Sequence, residues 1–181
     1  MRKREDWLEY EGQTTSEILA CKTTHSIFSL IAAFEWGLQA KASATNENAL
    51  TAEERLVLAV KALHREVGNG GYHQFFLNSS RRFAPIIVDS LLRIGCADTA
   101  AITKKAIATL HLREMSPDSV SRVITAEDPI RDQILDDCDN QFYQLDEIKE
   151  KLFRFIEDHQ ERIHLVKSSP QPTSAPPLSP I

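Results

Sequence analysis

The stretch Glu66–Ser80 has the sequence EVGNGGYHQFFLNSS and decides the fold. Glycine adopts positive φ without a Cβ clash, so the GNGG run at 68–71 predicts the end of one helix and a tight turn. The aromatic residues 72–77 that follow are enough for one or two helical turns. We therefore expect a helical hairpin that is broken at the glycines.

The helix before this break has a clear beginning and a clear buried face. Thr51 and Glu54 have the spacing of a capping box, in which each side chain bonds the backbone N–H of the other residue. The apolar residues that follow recur at helical spacing and predict one buried stripe. These residues are Leu56, Val60, Leu63 and Val67.

Similar signals predict the other helices. Ser16 is a suitable N-cap and predicts that a first helix begins there. An apolar stripe at Ile27, Ile31, Phe34 and Leu38 indicates a helix, and residues 42–48 are predicted to form a loop after it. Starts are predicted at Asn78–Ser80, Asp98, Ser116 with Pro117, and Asp128 with Pro129, and a last helix at about 146–165. No long segment alternates with period two. The predicted fold is all-α and compact, without a sheet.

Composition limits the class of protein. The chain has 181 residues, 42% of them hydrophobic, which is enough for one domain with a sizeable core. We expect a flexible N-terminus at 1–13, a helical domain at 14–167 with acidic helices at 127–165, and a disordered tail at 168–181. That tail, SSPQPTSAPPLSPI, contains five prolines in fourteen residues.

The charge and the cysteines narrow the function classes. A net charge of −5 argues against direct nucleic-acid binding. No apolar run approaches the roughly 20 residues that span a bilayer, so no membrane association is expected. The three cysteines are far apart and predict neither a metal site nor a disulfide framework. We expect a cytoplasmic protein without a cofactor and without catalytic residues.

The stretch Glu66–Ser80 resembles the signature E-V-x-N-G-G-[FY]-x-Q-[FY]-F-x-N-S-S of the bacterial, Neisseria-type DNA-mimic protein family. The likeness extends over about 50–110, a third of the chain. It implies an all-α domain, a homodimer, and an acidic surface that imitates DNA phosphates toward a DNA-binding protein. Most members of this family have no assigned function.

The charge of the family-like core departs from that expectation. Residues 51–115 contain six acids and nine bases, a net charge of +3. Any phosphate imitation must therefore come from elsewhere. Residues 127–150 contain nine acids against two bases, a net charge of −7.

Aspartates of this acidic segment are the predicted partner-binding residues. They are Asp128, Asp132, Asp136, Asp137 and Asp139. In a helix over 129–140, Asp128, Asp132, Asp136 and Asp139 would line one face about 5–6 Å apart, a spacing comparable to that of phosphates along a DNA strand. Ile130, Ile134 and Cys138 would then face the core. The alternative is a solvated face that keeps the protein soluble.

The signature residues themselves are interpreted as structural. They are Glu66, Asn69, Gly70, Gly71, Tyr72, Gln74, Phe76, Asn78 and Ser79. The amides are expected to bond backbone groups that the broken helix leaves free. Arg81 and Arg82 are expected to pair with Glu66 or Glu54, or to bind an acidic partner.

These observations predict a non-catalytic, protein-binding regulator, a DNA mimic directed at a basic or DNA-binding protein. One alternative is a small-ligand or enzymatic domain with its pocket at residues 69–78, lined by Asn69, Tyr72, His73 and Gln74. Another is a structural dimer.

Overall fold

The computed structural model of the chain describes residues 7–145 and 147–165. These residues form eight α-helices and no strand, which confirms the predicted all-α class. In chain order the helices are α1 (Thr15–Ala20), α2 (Ile27–Ala44), α3 (Ala52–Leu77), α4 (Ile87–Arg93), α5 (Ala97–Ala108), α6 (Pro117–Ile124), α7 (Pro129–Phe142) and α8 (Ile148–Asp158).

The central helix is α3, which packs against α2, α4, α6, α7 and α8. Five consecutive side chains, residues 56–60, are each at most 4% exposed. A helix covered on all sides must be apolar all round, which this part of α3 is. The predicted stripe is confirmed, since Leu56, Val60, Leu63 and Val67 are buried. The buried surface of α3 is wider than this stripe, because the residues between Leu56 and Val60 are buried too.

Three predicted helix starts are confirmed. Thr51 Oγ1 accepts the N–H of Glu54 at 3.1 Å, and Glu54 Oε2 accepts the N–H of Thr51 at 2.9 Å. Ser116 caps α6 and Asp128 caps α7, each with a proline as the first helical residue. Because a cap joins atoms within four residues of chain, local sequence is enough to find it.

Other boundaries differ from the prediction. α1 is capped by Thr14 with Glu17, not by Ser16. Asp98 lies in the first turn of α5 and does not cap it, because α5 already begins at Ala97. A 3-10 turn at Ser79–Phe83 precedes α4, and that helix begins at Ile87, after Pro85, whose presence predicted a start a few residues beyond Asn78–Ser80.

The lengths of two helices also differ. α2 continues through Ala44 into the predicted loop at 42–48. The last helix, α8, covers Ile148–Asp158 and is shorter than the predicted 146–165. Among the described residues, no helix has both the length and the apolar character needed to cross a bilayer.

The last described residues return to the helical body. The Arg162 carbonyl accepts the hydroxyl of Thr51 at 2.9 Å, and the N–H of His164 donates to Glu54 Oε1 at 2.7 Å. The Ile163 carbonyl accepts from Thr15 Oγ1. The predicted tail at 168–181 lies outside the described residues, and the domain boundaries stay predictions.

Candidate functional site

A glycine kink interrupts α3 where the sequence predicted a break. Gly70 has φ −164° and ψ 28°, and Gly71 has φ 73° and ψ −177°. A side chain at Gly70 would overlap the amide of Gln74, and one at Gly71 would overlap the carboxylate of Asp139. Both glycines lie outside the helical region of φ and ψ, so two helical segments of α3 meet at a kink here, and the second segment begins directly at Tyr72.

A buried carboxylate holds the residues on both sides of this kink. Glu66 is 6% exposed. Its Oε2 accepts from Gln74 Nε2 at 2.9 Å and from Asn78 Nδ2 at 2.7 Å. Its Oε1 accepts from Ser80 Oγ and from Arg65 Nη2, each at 3.1 Å. We call these five residues the Glu66 cluster.

The electrostatics of the Glu66 cluster favour the ionised carboxylate. Burial of Glu66 raises its pKa, but the hydrogen bonds from Gln74, Asn78, Arg65 and Ser80 together lower it further, and the net pKa lies below the ordinary value. Arg65 also forms an ion pair with Glu35. Lys61 Nζ lies 3.3 Å from the same Glu35 carboxylate. The cluster is thus the end of an ionic network between α2 and α3.

This cluster corrects two predictions about polar side chains. Gln74 and Asn78 bond the Glu66 carboxylate, not freed backbone groups. Arg82 pairs with Glu47 at 3.0 Å, and Arg81 donates to the carbonyls of Leu77 and Pro117. Neither arginine bonds Glu66 or Glu54, because the donors of the signature already fill the Glu66 carboxylate and Lys41 takes both oxygens of Glu54.

The aromatic part of the signature is core. Tyr72, Phe75 and Phe76 are 0% exposed. The Tyr72 hydroxyl bonds Thr103 Oγ1 at 2.7 Å, and its ring meets Phe142 edge-on with centroids 5.9 Å apart. Burial therefore raises the pKa of Tyr72 well above its ordinary value.

The four residues proposed to line a pocket at 69–78 do not share one environment. Tyr72 is buried and Gln74 is bonded to Glu66, whereas Asn69 and His73 are exposed. An open cleft of about 360 Å³ lies between α2, α3 and the 3-10 turn at 79–83, and no residue of the stretch 69–78 lines it. Charged residues on its wall pair with each other, as Arg82 does with Glu47.

Helix α7 contacts both sides of the kink. Asp139 Oδ1 accepts the backbone N–H of Tyr72 at 2.7 Å. Tyr72 is the first helical residue after Gly71, and the first N–H groups of a helix have no partner within it. On the other side, the Tyr143 hydroxyl donates to the Val67 carbonyl at 3.0 Å.

The aspartates of the acidic segment have different environments. Asp128 caps α7, where its Oδ1 accepts the N–H of Arg131 at 3.0 Å. Asp132 pairs with Arg131 at 2.7 Å. Asp136 and Asp137 are exposed. Of the four aspartates predicted to form one row, only Asp136 is exposed, and Asp137 lies outside that row.

The buried face of α7 is not the predicted one. Ile130 was expected in the core and is 77% exposed, while Ile134 is half-buried and Cys138 is buried. The residues that do face the core are Arg131, Leu135, Cys138 and Phe142. Arg131 can be buried because its guanidinium donates to the carbonyls of Val123 and Ala126, at the end of α6.

Burial also changes the titration of Asp139. Desolvation raises its pKa, and the nearby charge of Asp136 acts in the same direction. The Tyr72 hydrogen bond and the charge of His73 oppose this rise without cancelling it. Sequence reasoning had placed Asp139 on an interaction surface, and no local signal connects it with Tyr72, which lies 67 residues away.

The fold and site define an all-α domain with a glycine-kinked central helix and an acidic helix against the kink. The chain matches the family model described as "DMP19-like protein" over residues 48–159, more than half of its length. It therefore belongs to the DMP19-like protein family, which confirms the resemblance found at Glu66–Ser80. Comparisons with curated proteins and with solved structures found no match.

Proposed function

We propose that this protein is a non-catalytic regulator that presents the exposed acidic face of α7 to a basic DNA-binding protein. Family membership supports the DNA-mimic class. One structural observation carries the assignment to α7, namely that the helix buries its only base while Asp136 and Asp137 stay exposed.

The buried base is Arg131, which is 4% exposed. Its guanidinium is occupied by two backbone carbonyls and by Asp132. The outer surface of α7 therefore carries no cation of its own, although its sequence contains one. Asp136 and Asp137 are left exposed in consecutive positions, with the exposed Glu127 before the helix.

The acidic face has a limited width. Asp128, Asp132 and Asp139 are engaged by groups of this chain. The exposed Lys104 and Lys105 lie on α5, which packs against α7. A basic partner would therefore contact a narrow surface centred on Asp136 and Asp137. If the partner shifted toward α5, Lys104 and Lys105 would repel its basic residues.

Charge reversal tests this assignment. Basic DNA-binding proteins of the source cell, enriched on heparin, are passed over the immobilised chain at low and high salt. We expect binding that weakens as salt rises, because exposed charges are screened. Asp136→Lys combined with Asp137→Lys should abolish it.

The control is Asp89→Lys, a reversal of an exposed aspartate on α4 that changes the net charge by the same two units as Asp136→Lys alone. It should retain most of the binding, whereas Asp136→Lys alone should weaken it. Equal loss in these two single variants would mean that only the overall charge matters. Binding that neither salt nor the α7 reversal affects would refute the proposed function.

A further inference from the structure

An exposed aromatic surface lies along α2, on a part of the chain outside the family match. Trp36 is 62% exposed, Trp7 53% and Phe28 44%. Trp7 and Phe28 are in contact, with ring centroids 5.8 Å apart. The half-buried Tyr10 packs over α2 at Gly37, where an added Cβ would lie 2.9 Å from its ring. We call these four residues the aromatic strip.

The described chain ends at the aromatic strip. A side chain at Gly37, next to Trp36, would meet Leu165 Cδ2 at 3.0 Å. Hydrogen bonds to Thr15, Thr51 and Glu54 hold residues 162–164 in place directly before it. The described chain therefore ends, at Leu165, beside the residue that follows the exposed Trp36.

The residues after Leu165 have the composition that aromatic surfaces recognise. Residues 168–181 contain five prolines and no charged side chain. Proline-rich segments favour the polyproline II conformation, and protein domains bind it in grooves lined by aromatic rings, because little conformational entropy is lost.

The geometry permits this contact within one chain. Phe28 and Trp36 are eight residues apart on α2, or about 12 Å along the axis. The four residues that precede Pro170 span about 12 Å when extended at roughly 3.1 Å per residue. A short tether also gives the segment an effective concentration of about 1 mM at the strip, which a second molecule would not reach at ordinary protein concentrations.

From these observations we propose that the proline-rich segment 168–181 binds the aromatic strip of the same chain, with its prolines packed on Trp7, Phe28 and Trp36. Both partners of this contact lie outside the matched residues 48–159. The contact is an addition to the family domain and does not rest on the proposed function. It would occupy a surface that an external proline-rich ligand could otherwise use.

The two tryptophans of the chain both belong to the strip, so they report on it selectively. In the ¹⁵N-labelled full chain, the two indole N–H cross peaks are assigned with Trp7→Phe and Trp36→Phe. Replacing the five prolines of 168–181 by serine should shift both cross peaks and increase acrylamide quenching of tryptophan fluorescence. A synthetic peptide of residues 168–181, added to that variant, should return the peaks toward their original positions.

The matched control is Thr173→Ala with Ser174→Ala, which changes the same segment but keeps all five prolines. It should leave both cross peaks and the quenching unchanged. Indole peaks that do not respond to the loss of the prolines would overturn the proposal. Peak positions that change with protein concentration and ignore the tail would overturn it too, and would assign the strip to a contact between two copies.

Discussion

The Asp139 carboxylate accepts the backbone N–H of Tyr72 at 2.7 Å, which joins α7 to the first turn after the glycine kink of α3. Tyr143, four residues after Asp139, donates to the Val67 carbonyl before the kink. The acidic helix is therefore also a structural support. Its inward residues hold the signature stretch, while Asp136 and Asp137 face solvent.

Asp139→Ala should destabilise the fold. It leaves the N–H of Tyr72 without its acceptor in a buried site, which costs about 1–3 kcal/mol. Asp137→Ala removes an exposed carboxylate two positions away and should change the free energy of unfolding by no more than about 0.5 kcal/mol. Urea denaturation of both variants measures the difference. Equal effects would show that the Asp139–Tyr72 bond does not contribute to stability.

Two alanine substitutions in the glycine run should have opposite signs. Gly71 has φ 73°, and a Cβ there would lie 2.6 Å from Asp139 Cγ, so Gly71→Ala should destabilise by more than about 1 kcal/mol. Gly68 is exposed and lies within α3, and a Cβ added there would meet no atom within 4 Å. Gly68→Ala should therefore stabilise by up to about 1 kcal/mol, because alanine is the better helix former. Thermal unfolding of both variants would show whether the signs differ.

The stability of the fold should depend on pH through Glu66. Its pKa in the folded protein lies below the ordinary value of 4.5, so the unfolded chain binds the proton more readily. The contribution of Glu66 is therefore complete above about pH 4.5 and is lost as pH falls through the lower, folded pKa.

Glu66→Gln isolates this effect because glutamine does not titrate. The variant should be less stable than the original chain at pH 7, and the gap should narrow as pH falls below 4.5. Urea denaturation at pH 7, 5, 4 and 3 measures the gap. A difference in the free energy of unfolding that stays constant over this range would contradict this account. It would mean that the four donors do not favour the ionised form of Glu66.

Local sequence predicted the features that depend on neighbouring residues. The caps at Thr51, Ser116 and Asp128 are bonds within three residues, so spacing alone located them. The break at Gly70–Gly71 was predicted for the same reason, since positive φ strongly favours glycine.

Features set by distant contacts were not predicted. The prediction of an aspartate row on α7 assumed that Ile130 lies on the buried face of that helix. The burial of Arg131 shifts that face by one residue, because Val123 at the end of α6 and Ala126 just after it offer their carbonyls to the guanidinium. An arginine in the core is rare without such partners, and partners contributed by another helix cannot be recognised from the sequence of α7.

The most direct test of DNA mimicry is competition with DNA. A fluorescent duplex is bound to the basic protein that the chain captures, and the chain is then titrated in while anisotropy is recorded. We predict that the chain releases the duplex, that Asp89→Lys does so nearly as well, and that the double reversal at Asp136 and Asp137 does not. A ternary complex, in which the duplex stays bound while the chain binds, would contradict the account.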